Sequence, residues 1–250
     1  MRKLQALLAL TWLVGCVATA HAGRLADLEI VSRDSGQRLE TWRHGGRLYV
    51  AGSPGERYAV RLINRSGGRL LTVLSVDGVN AVSGETAATG QAGYVLDPGR
   101  SAEIRGWRKS LDEVAAFYFT ALPDAYAARS GRPQNVGVIG VAVFRERSAP
   151  PAPLLQGRLS QPAPAADAAG ASAAESRAKR ESERLGTGHG ERLNDPTALT
   201  EFRRADRDPA EVLAIYYDSR ENLVANGIIP SRPRPGPPNP FPGGFVPDPA

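Results

Sequence analysis

One cysteine, one methionine and three histidines in 250 residues set the first limits on this chain's chemistry. Cys16 comes just after the N-terminal apolar run, so everything beyond it has no thiol, no disulfide and no cysteine ligand. An oxidising compartment permits disulfides but does not require them. A zinc site draws on several His, Cys or carboxylate ligands at workable spacing. After residue 22 only His44 and His189 remain, with no HxxH, HExxH or CxxC, so no metal and no cofactor are expected. A G-x-S-x-G elbow, the mark of many serine hydrolases, is also missing. The formal charge is +5, but acids and bases are interspersed with no block of five like charges. That pattern describes a solvated mixed-charge surface and argues against a nucleic-acid partner.

What is present begins with an export signal. Arg2 and Lys3 precede the apolar run Leu4 to Val14, and Ala20-His21-Ala22 fits a small-x-small cleavage pattern. The run is shorter than the roughly 20 residues a bilayer span needs, and no transmembrane segment is expected after it. Leu13-Val14-Gly15-Cys16 also matches a lipobox, with Cys16 as the lipidated residue. A periplasmic or secreted protein and a membrane-anchored lipoprotein both remain open here.

Residues 23–147 read as one mainly β domain. Tyr58, Val60 and Leu62 alternate with polar neighbours, and Leu28 and Ile30 do the same, the period of a half-buried strand. Gly45-Gly46 between Leu39–Trp42 and Leu48–Val50 signals a hairpin. Further apolar runs at 70–76, 93–96, 102–107, 114–120 and 136–144 are separated by turn sequences such as Asp77-Gly78 and Asp97-Pro98-Gly99. Eight or nine short strands predict an antiparallel β-sandwich or jelly-roll-like domain.

Residues 148–182, rich in Ala and Pro and free of aromatics, predict a disordered linker. Residues 183–230 predict a small α+β unit. Its elements are strands at 198–205 and 212–217, then a short helix capped by Asp218 or Ser219 and stopped at Gly227. So small a unit is expected to dock on the β domain or on a partner. The Pro-rich tail 231–250 favours polyproline II geometry, with Phe241 and Phe245 able to anchor it in a groove.

The unusual local sequences are two. Gly186, Gly188 and Gly190 bracket His189 in Gly-Thr-Gly-His-Gly, where alternate glycines let a backbone approach a ligand. Trp107 and Arg108 stand beside Lys109, an aromatic next to two cations that suits an anionic polymer or a partner. These six residues, Trp107, Arg108, Gly186, Gly188, His189 and Gly190, are the candidate binding set. The carboxylate pairs Asp112/Glu113 and Asp218/Glu221 offer a hydrolase alternative. No catalytic residue is assigned.

Taken together, the strings Val76-Asp77-Gly78-Val79-Asn80, Gly93 to Pro98, Gly106 to Ser110, Asn135 to Phe144, Gly186 to Gly190 and Tyr217 to Leu223 resemble a group of exported proteobacterial proteins of unassigned function. The resemblance implies export and a β-rich domain, and brings no activity. The expectation is an exported, non-enzymatic binding or interaction module that engages an envelope partner through residues 183–250. A periplasmic hydrolase using carboxylates or His189, or a binder of glycans or small ligands, is the alternative.

Overall fold

The computed structural model describes residues 21–22, 24–147 and 184–231. Cys16, most of the signal segment, the linker and all of the tail after Ser231 lie outside the described residues.

In chain order the strands are β1 (His21–Ala22), β2 (Ala26–Ser32), β3 (Thr41–His44), β4 (Arg47–Gly52), β5 (Tyr58–Asn64), β6 (Leu70–Val76), β7 (Val79–Asn80), β8 (Tyr94–Leu96), β9 (Ser101–Ile104), β10 (Gly106–Arg108), β11 (Glu113–Ala121), β12 (Val138–Arg145), β13 (Leu185–Asn194) and β14 (Glu211–Ser219). Two short α-helices, α1 (Tyr126–Arg129) and α2 (Arg220–Ala225), and two 3-10 turns, Leu122–Asp124 and Pro133–Asn135, complete the described elements. The chain is therefore mainly β. Its sheets are antiparallel and mixed, because β14 runs parallel to β4.

Three sheets form. The first has the order β1-β2-β5-β9 and the second β10-β11-β13. The third runs β3-β4-β14-β12-β6-β7, with β8 also on β6. Alternate residues of each feed one core: Leu28 and Ile30 from β2, Tyr58 and Val60 from β5, Phe117 and Phe119 from β11, Ile215 and Tyr217 from β14. A second, smaller cluster of Leu71, Val73, Ala142 and Phe144 covers part of the large sheet's other face, with Phe202 packed on it. With both faces covered, β6 is buried at every position but Ser75.

The separate C-terminal unit expected from the sequence is not what forms. β13 pairs with β11, and β14 is inserted between β4 and β12 in the large sheet. The physical reason is apolar alternation: Leu213, Ile215 and Tyr217 belong to the shared core and have no core of their own to fill. No strand forms at 198–205. That segment crosses the outer face of the large sheet, where Phe202 packs and Arg204 lies over the Phe144 ring at 4.2 Å. The local signals fare better. Gly45 and Gly46 turn at φ 54° and 74° between β3 and β4. Ser219 Oγ caps α2 by accepting from Asn222 N at 3.2 Å, and Gly227 follows at φ 70°.

The seam between the second and third sheets is closed by a buried carboxylate. Asp77 turns between β6 and β7 at φ 53° and has no exposed surface. Its Oδ2 accepts from Thr187 N at 2.8 Å, and its Oδ1 accepts from Gly137 N at 3.0 Å and the Tyr217 hydroxyl at 2.6 Å. From there a hydroxyl chain continues: Tyr217 to Thr187 Oγ1 at 2.7 Å, and Thr187 Oγ1 to Tyr58 at 2.6 Å. Three strands, one from each sheet, thus meet the Asp77 turn in one polar network. Asp218 finishes the same seam by accepting from Leu185 N at 3.1 Å.

Burial pushes the Asp77 carboxyl up from its ordinary 3.8 to about 6, against the pull of Tyr217, Thr187 and Gly137. The folded chain then holds this proton more tightly than the unfolded chain. Its contribution to stability is complete below about pH 4, shrinks as the pH rises through about 6, and is absent above that. The shift corresponds to about 3 kcal/mol. Urea unfolding at several pH values should show wild type losing about that much relative to Asp77→Asn between pH 4 and pH 7. Parallel pH profiles for the two chains would contradict the raised value.

Candidate ligand-binding site

The Gly-Thr-Gly-His-Gly sequence is a strand, not a loop. It forms the first half of β13, and its glycines answer to what lies across them. A Cβ on Gly188 would stand 2.2 Å from the Tyr118 ring, and one on Gly186 would stand 2.5 Å from Ala125 Cβ. On Gly190 the nearest atom would be Ala116 O at 3.0 Å. The three glycines therefore admit neighbouring side chains and main chain, and the phosphate-cradle or docking-loop reading gives way to packing. Tyr118, on β11, lies directly opposite Gly188 in register.

Trp107 and His189, far apart in sequence, are brought together. Their rings lie nearly parallel, 6.1 Å between centroids and 10° between planes. Trp107 itself has no exposed surface and meets Phe117 edge-on at 4.8 Å. It backs the site and offers no face to a ligand, which corrects its sequence assignment. Arg108 is also removed from the binding set: only 10% of its side chain is exposed, it donates to Asp195 O, and its guanidinium lies 3.8 Å from Asp195 Oδ1.

What stands at the surface is His189, with Tyr118 and Tyr126 half-buried beside it. Together with Asp124, Arg129 and Ser130 they line a shallow cavity of about 370 Å³. Tyr126 lies 5.2 Å from the His189 ring and 4.9 Å from Trp107. Lys109 Nζ sits 5.6 Å from the Tyr126 ring centre. Desolvation, followed by the Lys109 charge, holds the His189 imidazole below its ordinary value, so it is neutral at pH 7. Lys109 is lowered for the same first reason, then by Arg192.

The cavity is better furnished for holding than for cutting. Ser130 Oγ donates to main-chain oxygens, Tyr126 O at 2.8 Å and Ala127 O at 3.1 Å. Among the described residues no carboxylate is hydrogen-bonded to the His189 imidazole. The carboxylate pairs raised by the sequence have structural work elsewhere. Asp218 Oδ1 accepts from Leu185 N, Ser219 N and Asn222 Nδ2, and Glu113 pairs with Arg192 at 3.4 Å. No group of three or more His, Cys, Asp or Glu side chains able to hold a metal occurs among the described residues.

Sequence reasoning missed Tyr118, Tyr126 and Arg129. Tyr118 reads as core strand, and Tyr126 and Arg129 sit in a stretch whose only local signal is weak helix.

No family model matches the chain, and neither a curated protein nor a solved structure matches it. Among the described residues no helix is long and apolar enough to cross a membrane. The class defined so far is a mainly β chain with a ring-lined surface hollow.

Gly188→Ala should cost about 1–3 kcal/mol in chemical unfolding, because a methyl group forces the Tyr118 ring to move. Gly67→Ala, with open space around its Cβ, should stay within about 0.5 kcal/mol of wild type. Equal stability of the two variants would remove close approach as the reason for Gly188.

Proposed function

We propose that this chain is an exported cell-envelope protein acting as a non-enzymatic binding module, and that the hollow beside His189 is its ligand site. The observation that carries the site is the grouping of Tyr118, Tyr126 and His189 around one cavity with Lys109 and Arg129 beside them. Aromatic faces stack on ring-shaped ligands with an apolar side, and ammonium and guanidinium groups attract negative charge. A ligand with both properties is an acidic saccharide, within the glycan-binder reading. The lack of an oriented base favours binding over hydrolysis.

Export is supported by the signal pattern in residues 1–22 and by where the folded body starts. Glu211 accepts from Arg24 N at 2.7 Å, Leu25 N at 2.9 Å and Ala26 N at 3.3 Å. Its carboxylate holds the main chain two residues beyond the expected cleavage site. The two strands β1 and β2 pair across that site, so cleavage after Ala22 would remove β1 and leave this clamp intact. We infer likewise that the three sheets form a sandwich, a reading supported by the single core they share.

Calorimetric titration with acidic and matched neutral saccharides tests the reading. The acidic ligand should bind, Tyr126→Ala should weaken it about tenfold, roughly 1.4 kcal/mol, and Arg61→Ala should leave it unchanged. Equal binding of acidic and neutral ligands, or no effect of Tyr126→Ala, would overturn the site. Turnover of the ligand during the titration would replace binding with hydrolysis.

A further inference from the structure

A second aromatic surface lies on the outer face of the large sheet. Strands β3, β4 and β14 place Trp42, Tyr49 and Tyr216 in direct register, Trp42 opposite Tyr49 and Tyr49 opposite Tyr216. The alternating neighbours Leu48, Val50, Ile215 and Tyr217 point into the core, so these three rings point out. Each is half-buried and none is covered by another strand. Tyr49 and Tyr216 are 5.6 Å apart. Arg47 lies over Tyr216 at 5.1 Å and Arg220 over Trp42 at 6.0 Å. Among the described residues neither guanidinium forms an ion pair.

Beside this row is a cavity of about 360 Å³ whose walls include His44, Tyr49, Tyr216, Asn226 and Ile228. Ile228 is three residues before Ser231, the last described residue. The chain therefore delivers its final nineteen residues at the edge of the aromatic row. Those residues contain eight prolines together with Phe241 and Phe245.

We propose that the Pro-rich segment 232–250 docks on its own chain across Trp42, Tyr49 and Tyr216. Polyproline II segments have no internal hydrogen bonds, so their carbonyls need outside donors, and they dock in aromatic-lined grooves. The row supplies rings for the pyrrolidine faces, with Arg47 and Arg220 as donors for the free carbonyls. The geometry is permissive. The row crosses three strands, about 10 Å, while nineteen residues in polyproline II geometry extend about 60 Å. A tether this short presents the segment to the row at an effective concentration on the order of 1 mM. This occupant differs from the His189 ligand, and the two readings stand or fall separately.

Fluorine NMR of the full chain labelled with 5-fluorotryptophan reads the contact. Trp42→Phe identifies the Trp42 resonance, and the buried Trp107 resonance reports whether the core is intact. Ending the chain after Ser231 should shift the Trp42 resonance and raise its solvent-isotope effect, with Trp107 unchanged. A synthetic peptide of residues 232–250 should reverse the change saturably, and Tyr216→Ala should abolish that reversal. An unchanged Trp42 resonance on truncation would overturn the proposal. So would a Trp42 shift that depends on protein concentration, which assigns the segment to a second copy. A saccharide that binds the row equally in full and truncated chains would overturn it as well.

Discussion

A carboxylate with no exposed surface holds this structure's parts in register. Asp77 sits at a tight turn in the left-handed region and takes its hydrogen bonds from a strand of the second sheet, a strand of the third and the residue preceding β12. An unpaired buried carboxylate is costly, whereas one with several donors is tolerable and specific. Moving β13 or β14 by one residue would strand Thr187 N or the Tyr217 hydroxyl beside an unsatisfied charge. The network thus explains how two C-terminal strands, separated from the rest by more than thirty residues of linker, find one register.

Register then shapes the surface. Once Thr187 faces Asp77, Gly188 must lie opposite Tyr118 and His189 opposite Phe117. Glycine at 188 lets the tyrosine ring lie flat against the strand. Trp107 fills the space behind His189, and α1 brings Tyr126 and Arg129 alongside. The hollow is a by-product of this packing. Its lining carries one carboxylate, Asp124, and one guanidinium, Arg129, with Lys109 beside the Tyr126 ring, and the His189 imidazole is held below its ordinary value by desolvation.

Local reading of the sequence succeeded where one short segment decides the outcome. The Gly45-Gly46 hairpin, the β2 and β5 alternation, the Ser219 cap and the Gly227 stop depend on residues a few positions apart. It failed at 185–194 because glycine-rich sequence carries no strand propensity; distant neighbours, the Tyr118 ring at Gly188, Ala125 at Gly186 and the Ala116 main chain at Gly190, make glycine the residue that fits there. It failed again at 198–205, where Phe202 packs on a sheet face while Leu199 stays exposed, and the segment does not pair as a strand. Tyr126 and Arg129 carried no binding signal, since a lone tyrosine in a polar stretch reads the same whether or not a cavity opens beside it.

The sequence alone determined the scarcity of thiols and imidazoles, the apolar N-terminal run, the mainly β character and the turns, because composition and short-range periodicity are properties of the chain itself. Tertiary structure alone decided that the C-terminal strands complete the sheets, that Trp107 is buried behind His189, and that Trp42, Tyr49 and Tyr216 form one row. Those outcomes depend on long-range hydrogen bonding and on a single shared core, and neither is written in any one segment.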